Sequence, residues 1–201
     1  MRIVEDTVEI IESRSEGQPS KLVGYGAVFY REGSPETEYV TTIPGMGVVR
    51  ERILPTAFDS SLQKNQLELR HEHDEKQVID TTDNTLRAKK DNKGIIVESD
   101  IDPTDPQYLS VVAKVKKKIA RGMSFGFSES RTKDKWEQTS GGWIRWLVDI
   151  AASEFSIVRN PCYAGTSNGL RSTSDSSDIK RSFEKYRAEQ NKIRFEQLNI
   201  K

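Results

Sequence analysis

The stretch DPQYLSVVAKVKKKIARGMSFGF, residues 105–127, predicts a helix followed directly by a strand and gives the clearest indication of the fold. Asp105 is a good N-cap, and Pro106 suits the first helical turn. The apolar residues that follow recur at near-helical spacing, namely Leu109, Val112, Val115 and Ile119. Gly122 is placed to end the helix, and a strand is expected to begin at Met123.

On both sides of this stretch, short runs of alternating apolar and polar residues predict strands. The predicted strands cover residues 8–11, 22–30, 48–54, 67–73, 77–81, 85–90, 94–100, 123–136 and 143–158. A short helix is expected between Pro55 and Leu62. Residues 31–47 contain two prolines and three glycines among polar neighbours, which predicts a long loop. Together these elements predict an α+β fold.

The composition argues against several classes of protein. The 201 residues include 31 Lys and Arg and 31 Asp and Glu, so the formal net charge is zero and no nucleic-acid or anionic-membrane partner is expected. No stretch approaches the ~20 apolar residues that cross a bilayer, and the first residues lack the apolar centre of a signal peptide. A cytosolic protein is therefore expected. The single cysteine, Cys162, cannot form an internal disulfide.

The composition changes after Leu170 and predicts a boundary there. Residues 171–178 are rich in serine and contain no apolar side chain, which is typical of a linker. A helical period then returns at Ile179, Phe183, Tyr186 and Ile193. We expect residues 1–170 to form one domain and residues 171–201 to form a linker and an amphipathic helical tail. This tail either packs on the core or serves as a docking or disposable segment for an assembly partner.

The two histidines, His71 and His73, limit the hydrolytic chemistry that the chain can carry. In a regular strand they would share one face, because side chains two residues apart point the same way. A His-x-His pair followed by acidic residues also occurs in binuclear metal hydrolases. Such sites need further histidines, which this chain lacks, so no metal and no other cofactor is expected.

Ser124 stands between Gly122 and Gly126, which is unusual within a strand. Glycine there often marks a close approach of another backbone, as a peptide substrate near a nucleophilic serine would require. The pattern Gly-x-Ser-x-Gly also describes the nucleophile elbow, but that motif leads from a strand into a helix, and here the order is reversed. From the residues alone, Ser124 is equally well a packing residue or a nucleophile.

Six segments between about residue 24 and residue 166 form a recognisable series: residues 24–29, 53–58, 73–74, 122–127, 153–158 and 161–164. Taken in this order, they resemble the prohead (capsid maturation) proteases of tailed phages, which are similar in fold to the herpesvirus assemblins. Asp80 departs from the pattern, since the family usually has glycine there. The resemblance implies a mostly antiparallel, barrel-like sheet with a few helices.

The resemblance also implies a catalytic triad. Its nucleophile falls on Ser124, its general base on His73 and its acidic member on Glu154. His71 is the alternative candidate for the base. The alternative for Glu154 is a purely structural role. Cys162 is not expected to be a nucleophile, because no histidine is near it in sequence.

The biology implied by the resemblance is cleavage of scaffold regions of the phage major capsid protein, and of the protease itself. This cleavage would take place inside the procapsid, in the cytoplasm of the bacterial host. A homo-oligomer is compatible with this function. Two alternatives remain at this point: an inactive scaffold or assembly protein with the same fold, and another serine or metal-dependent hydrolase.

Overall fold

A computed structural model describes residues 8–13, 15, 17–64, 66–161 and 174–198, with side chains at 177 and 179–194 in the last range. The strands are β1 (Val8–Ile11), β2 (Lys21–Val28), β3 (Glu38–Ile43), β4 (Gly47–Ile53), β5 (Glu68–His71), β6 (Val78–Thr81), β7 (Arg87–Lys90), β8 (Gly94–Asp100), β9 (Gly122–Phe127), β10 (Lys133–Thr139), β11 (Gly142–Asp149) and β12 (Ala152–Val158). The α-helices are α1 (Asp59–Lys64), α2 (Pro106–Lys116) and α3 (Ser174–Leu198).

These strands form three sheets of four strands each. The first sheet has the order β1-β2-β8-β7 and is antiparallel throughout. The second sheet has the order β10-β11-β4-β3, and the third has the order β6-β5-β12-β9. In both of these sheets the two inner strands are parallel and each has an antiparallel outer neighbour.

The α+β class and the mostly antiparallel pairing are confirmed, but the predicted barrel-like sheet is wrong. Each sheet ends in edge strands, and no ladder closes a barrel among the described residues. Strand β2 lies beside β9 without pairing with it in a described ladder. The sheets are instead joined by apolar packing. Phe58 contacts Phe125 and Phe155 at ring-centroid distances of 5.2 and 6.1 Å, within a core that all three sheets and α2 share.

Helix α2 begins as predicted and ends earlier than predicted. The Asp105 side chain accepts a hydrogen bond from the backbone N–H of Gln107 at 2.8 Å, and Pro106 occupies the first turn. Lys118 has a φ of 56°, a left-handed conformation that stops the helix before Gly122, which opens β9. The buried face consists of Tyr108, Val111, Val112 and Val115. The predicted face is therefore partly wrong, because Leu109 and Ile119 are exposed.

Several predicted boundaries are also wrong. The loop expected at residues 31–47 contains β3, because Tyr39-Val40-Thr41-Thr42-Ile43 is a β-favouring run that pairs with β4. The strands expected at residues 123–136 and 143–158 are each two strands. The first is interrupted by a 3₁₀ turn at Glu129–Arg131, and the second by a break between β11 and β12.

Asp80 belongs to a buried polar network that joins β6 to β8 and α2. Its carboxylate accepts hydrogen bonds from the hydroxyls of Thr85 and Ser99. Tyr108 donates its hydroxyl to Ser99 at 2.6 Å, and burial raises the pKa of this tyrosine. The departure from the family pattern at Asp80 therefore concerns the interior of the fold, where the carboxylate is well supplied with donors.

Helix α3 begins at Ser174, within the segment predicted as a linker, and its first half packs on the second sheet. Ile179 and Phe183 are buried, and Phe183 contacts Trp136 and Trp143 at centroid distances of 5.1 and 4.7 Å. Residues 187–194 are exposed. Residues 162–173 lie outside the described range, so the domain boundary and the docking role of the tail stay predictions. None of the described helices is long and apolar enough to span a membrane.

Candidate active site

The pairing of β9 with β12 brings two of the predicted site residues onto one face of the third sheet. Ser156 stands opposite Ser124, and Glu154 stands opposite Gly126. Directly opposite residues of an antiparallel pair share a face, with Cβ atoms roughly 4.5–5.5 Å apart, and residues two apart on a strand share a face as well. Ser124, Glu154 and Ser156 are therefore neighbours, and all three are buried.

Gly126 provides the space that the Glu154 carboxylate occupies. A Cβ atom at this position would lie 2.0 Å from Oε1 of Glu154 and 2.9 Å from its carboxyl carbon. No side chain can be accommodated there unless the carboxylate moves. The second glycine of the Gly-x-Ser-x-Gly pattern thus sets the position of an acid on the neighbouring strand.

His73 lies in a tight corner after β5, which ends at His71. Glu72 and His73 have φ values of 55° and 59°, the left-handed region that non-glycine residues rarely adopt. Two backbone N–H groups of this corner donate hydrogen bonds to strand β12. The N–H of Glu72 donates to the carbonyl of Ile157 at 3.0 Å, and the N–H of His73 donates to Oγ of Ser156 at 3.1 Å.

The imidazole of His73 is hydrogen-bonded to the buried carboxylate. Its Nδ1 lies 2.7 Å from Oε1 of Glu154, while Oε2 accepts the hydroxyl of Ser156 at 2.6 Å. The Glu154 side chain is 3% exposed and the His73 side chain is 42% exposed. When Nδ1 donates to a carboxylate, Nε2 carries the free lone pair and can accept a proton. The arrangement is a solvent-accessible base with a buried acid behind it.

His71 lies elsewhere, and the prediction that it shares a strand face with His73 is wrong. The strand ends at His71, so the period of two does not continue to His73. His71 is opposite Ile157 of the core and is itself buried. Its Nε2 is 3.4 Å from Nζ of Lys114, and its Nδ1 is 2.9 Å from Oε1 of Gln77. Because an ammonium can only donate, Nε2 accepts and Nδ1 carries the proton.

Two further predictions concern Cys162 and a metal ion. Cys162 lies outside the described residues, so its role stays a prediction. Within the part of the chain that is described, no group of three His, Cys, Asp or Glu residues is arranged to hold a metal ion.

Ser156 is a site residue that was not predicted from the sequence. Its hydroxyl contacts both Glu154 and the backbone of His73, although the two residues are 81 positions apart. The available signal was the spacing of Glu154 and Ser156, which places both side chains on one face of a strand. Nothing in the sequence indicated that the corner with His73 folds back onto that face.

Serine hydrolases of unrelated folds combine a nucleophilic serine with a histidine that a carboxylate orients. The family model of the Caudovirus prohead serine proteases matches residues 7–181, which is most of the chain. The chain therefore belongs to this family of capsid maturation proteases, and the resemblance seen in the sequence is confirmed. Comparison with curated proteins and with solved structures gave no match.

Proposed function

We propose that this capsid maturation protease cleaves peptide bonds with Ser124 as nucleophile, His73 as general base and Glu154 as the acid that orients the base. The observation that carries the proposal is the 2.7 Å contact between Nδ1 of His73 and Oε1 of Glu154. It is supported by the register that sets Ser124 opposite Ser156, the residue that contacts both other members.

In the first half of the reaction, Oγ of Ser124 attacks the carbonyl carbon of the scissile peptide. Nε2 of His73 takes the hydroxyl proton as the new C–O bond forms. The C–N bond then breaks, and the same nitrogen returns the proton to the leaving amine. An acyl-enzyme on Ser124 remains, and His73 activates a water molecule to hydrolyse it.

Glu154 acts through His73. Its Oε1 holds the Nδ1–H tautomer, which keeps Nε2 free to accept a proton, and its negative charge stabilises the imidazolium that forms during attack. The burial of Glu154 strengthens this effect, because two charges interact more strongly in the protein interior, where the effective dielectric constant is lower than in water.

The substrate that we propose is the scaffold region of the phage major capsid protein, cleaved inside the procapsid, together with the protease chain itself. Support for this proposal comes from the family to which the chain belongs. A protein substrate also suits a base whose side chain is 42% exposed, since that imidazole can be reached by an extended polypeptide.

The test is co-expression of the full chain with the major capsid protein of the same phage, followed by intact-mass measurement of both proteins. We expect the wild type to shorten the capsid protein and Ser124→Ala to leave it at full length. Ser110→Ala, which alters an exposed serine of α2, is the matched control and should cleave like the wild type.

Two outcomes would contradict the proposal. Cleavage by Ser124→Ala at the wild-type rate would exclude this serine as the nucleophile. A capsid protein left at full length by the wild type would favour the alternative of an inactive assembly protein with the same fold.

A further inference from the structure

Ser156 lies at the centre of the candidate site but cannot contact a substrate, because it is 0% exposed. Its hydroxyl makes two hydrogen bonds. The proton goes to Oε2 of Glu154 at 2.6 Å, and the oxygen accepts the backbone N–H of His73 at 3.1 Å. One atom therefore contacts both the acid and the main chain of the base.

We infer that Ser156 is a positioning residue that fixes His73 and Glu154 relative to each other, an inference that rests on the proposed function. Three coordinates define the contact between these two residues: the rotation of the carboxylate, the place of the histidine backbone and the rotation of the ring. Ser156 determines the first two, and Oε1 of Glu154 determines the third.

The first coordinate is the rotation of the carboxylate. Glu154 has two oxygens, and each accepts a different donor: Oε1 takes the ring of His73 and Oε2 takes Ser156. A carboxylate held at both oxygens cannot turn about its last bond without losing a hydrogen bond to a charged group. Gly126 leaves room for this orientation, and Ser156 selects it.

The second coordinate is the backbone of His73. Its φ of 59° is uncommon for a residue with a side chain, so contacts from outside the corner must hold it. The N–H that Ser156 accepts belongs to this residue. Without the hydroxyl, that N–H would lose its partner, and of the two main-chain N–H groups that bond to β12 only that of Glu72 would keep its acceptor.

The test measures how fast Ser124 is labelled by a fluorophosphonate, a probe that reacts with activated serines, in the full-length protein. We expect Ser156→Ala to lower the maximal labelling rate about 10- to 100-fold, the rate equivalent of one hydrogen bond to a charged group. The probe concentration that gives half the maximal rate should stay unchanged, because Ser156 does not touch the probe.

Ser61 of α1 offers a matched control, because its hydroxyl contacts the first residue of the strand that carries Ser156. It is also buried, accepts the backbone N–H of Ala152 at 3.0 Å and donates to the carbonyl of Ile150 at 2.6 Å. Ser61→Ala therefore removes an equivalent bridging hydroxyl without touching His73 or Glu154. We expect its maximal labelling rate, per folded molecule, to equal that of the wild type.

A double-mutant cycle separates positioning from a general loss of structure. If Ser156 acts through His73, then Ser156→Ala should not lower the residual rate of His73→Ala any further. A similar loss in both backgrounds would overturn the inference, because a structural defect lowers the rate whether or not the base is present. Should Ser156→Ala not fold, Ser156→Cys replaces it, since a thiol has a similar shape and is only a weak donor.

The two proposals fail in different ways. Labelling of the wild type that does not depend on Ser124 would contradict the proposed function. Labelling that depends on Ser124, with equal rates in Ser156→Ala and Ser61→Ala, would contradict only the role of Ser156.

Discussion

The second and third sheets have the same strand pattern, with two parallel inner strands and an antiparallel neighbour on each side, yet they use a buried carboxylate differently. In the second sheet, Glu51 of β4 stands opposite Arg145 of β11, and both are fully buried. In the third sheet, Glu154 of β12 contacts His73, whose side chain is 42% exposed.

The cluster in the second sheet is built around one buried cation. The guanidinium of Arg145 donates to Glu51 at 3.0 Å, to Asp134 at 2.6 Å and to Glu129. Asp134 also accepts the hydroxyl of Ser182, which joins the cluster to α3. An arginine stays protonated in proteins, so the cation at the centre of this cluster is permanent and serves structure.

The difference shows that the partner of the carboxylate, and not the strand pattern, decides what a buried acid can do. An imidazole gains and loses a proton near neutral pH, and exposure lets a substrate reach it. An enclosed guanidinium does neither. Four predictions test this difference between the two sheets.

The largest effect is expected at His73. His73→Ala removes the proposed base and should lower peptide cleavage on the order of 10⁴-fold or more, measured with the capsid protein as substrate. His71→Ala is the control, because that histidine lies among the core residues with Gln77 and Lys114 as partners. It should lower thermal stability and keep its activity per folded molecule. The reverse pattern would assign the base to His71.

The next effect is expected in the second sheet and concerns stability. Arg145→Met leaves one buried and two partly buried carboxylates without their cation, which should lower the free energy of unfolding by about 3–5 kcal/mol, measured by urea denaturation. Arg50→Met on β4 removes only a surface contact with the carbonyl of Gly141 and should change it by about 0.5 kcal/mol or less. A loss in Arg145→Met as small as the one expected for Arg50→Met would show that the cluster is not needed for stability.

A third effect is expected at Gly126 and sharpens the role of the third sheet. In Gly126→Ala the new methyl group displaces the Glu154 carboxylate from its contact with His73, since the two would be 2.0 Å apart. A displacement of this size should lower the cleavage rate about 10²-fold. Gly141→Ala is the control, because its Cβ would have no neighbour closer than 3.5 Å. A fully active Gly126→Ala would show that the position of the carboxylate is unimportant.

Local features explain which parts of the fold could be predicted from the sequence. The N-cap Asp105 and the strand β8 were predicted with the bounds found, because a cap and an alternating run depend on adjacent residues. The parallel pairs could not be predicted, because β5 and β12 are brought together by the intervening chain and not by a local signal. Strand β3 was missed, since Pro35 and Pro44 beside it favoured a loop.

The candidate site shows the same limit. The residues alone left the role of Ser124 open, and His73 and Glu154 entered through the family resemblance. The purpose of Gly126 depends on which strand lies beside it, and the contact of Ser156 depends on a corner with two left-handed residues. Neither property can be found in an alternating pattern, because both arise from pairing between distant segments.

The smallest effect is a pH dependence, and it distinguishes the charged cluster from the site. Burial raises the pKa of Glu129 above its ordinary value of 4.5, and the charges of Glu51 and Asp134 raise it further, against the opposing effect of Arg145. Between the ordinary and the raised value, the folded protein binds a proton that the unfolded chain does not. The free energy of unfolding therefore decreases as the pH rises through this window. Glu129→Gln should remove this decrease, measured by urea denaturation at a series of pH values.

Asp149 supplies a control of opposite sign. The hydrogen bond from Lys133 holds the pKa of Asp149 below its ordinary value of 3.8, so its contribution to stability is present above that value and is lost as the pH falls through the lowered one. Asp149→Asn should therefore flatten the loss of stability in acid, while Glu129→Gln flattens the loss toward neutral pH. A shift of the same sign in both variants would mean that the cluster around Arg145 holds Glu129 ionised throughout. In that case the cluster of the second sheet would keep a single charge state across the whole range.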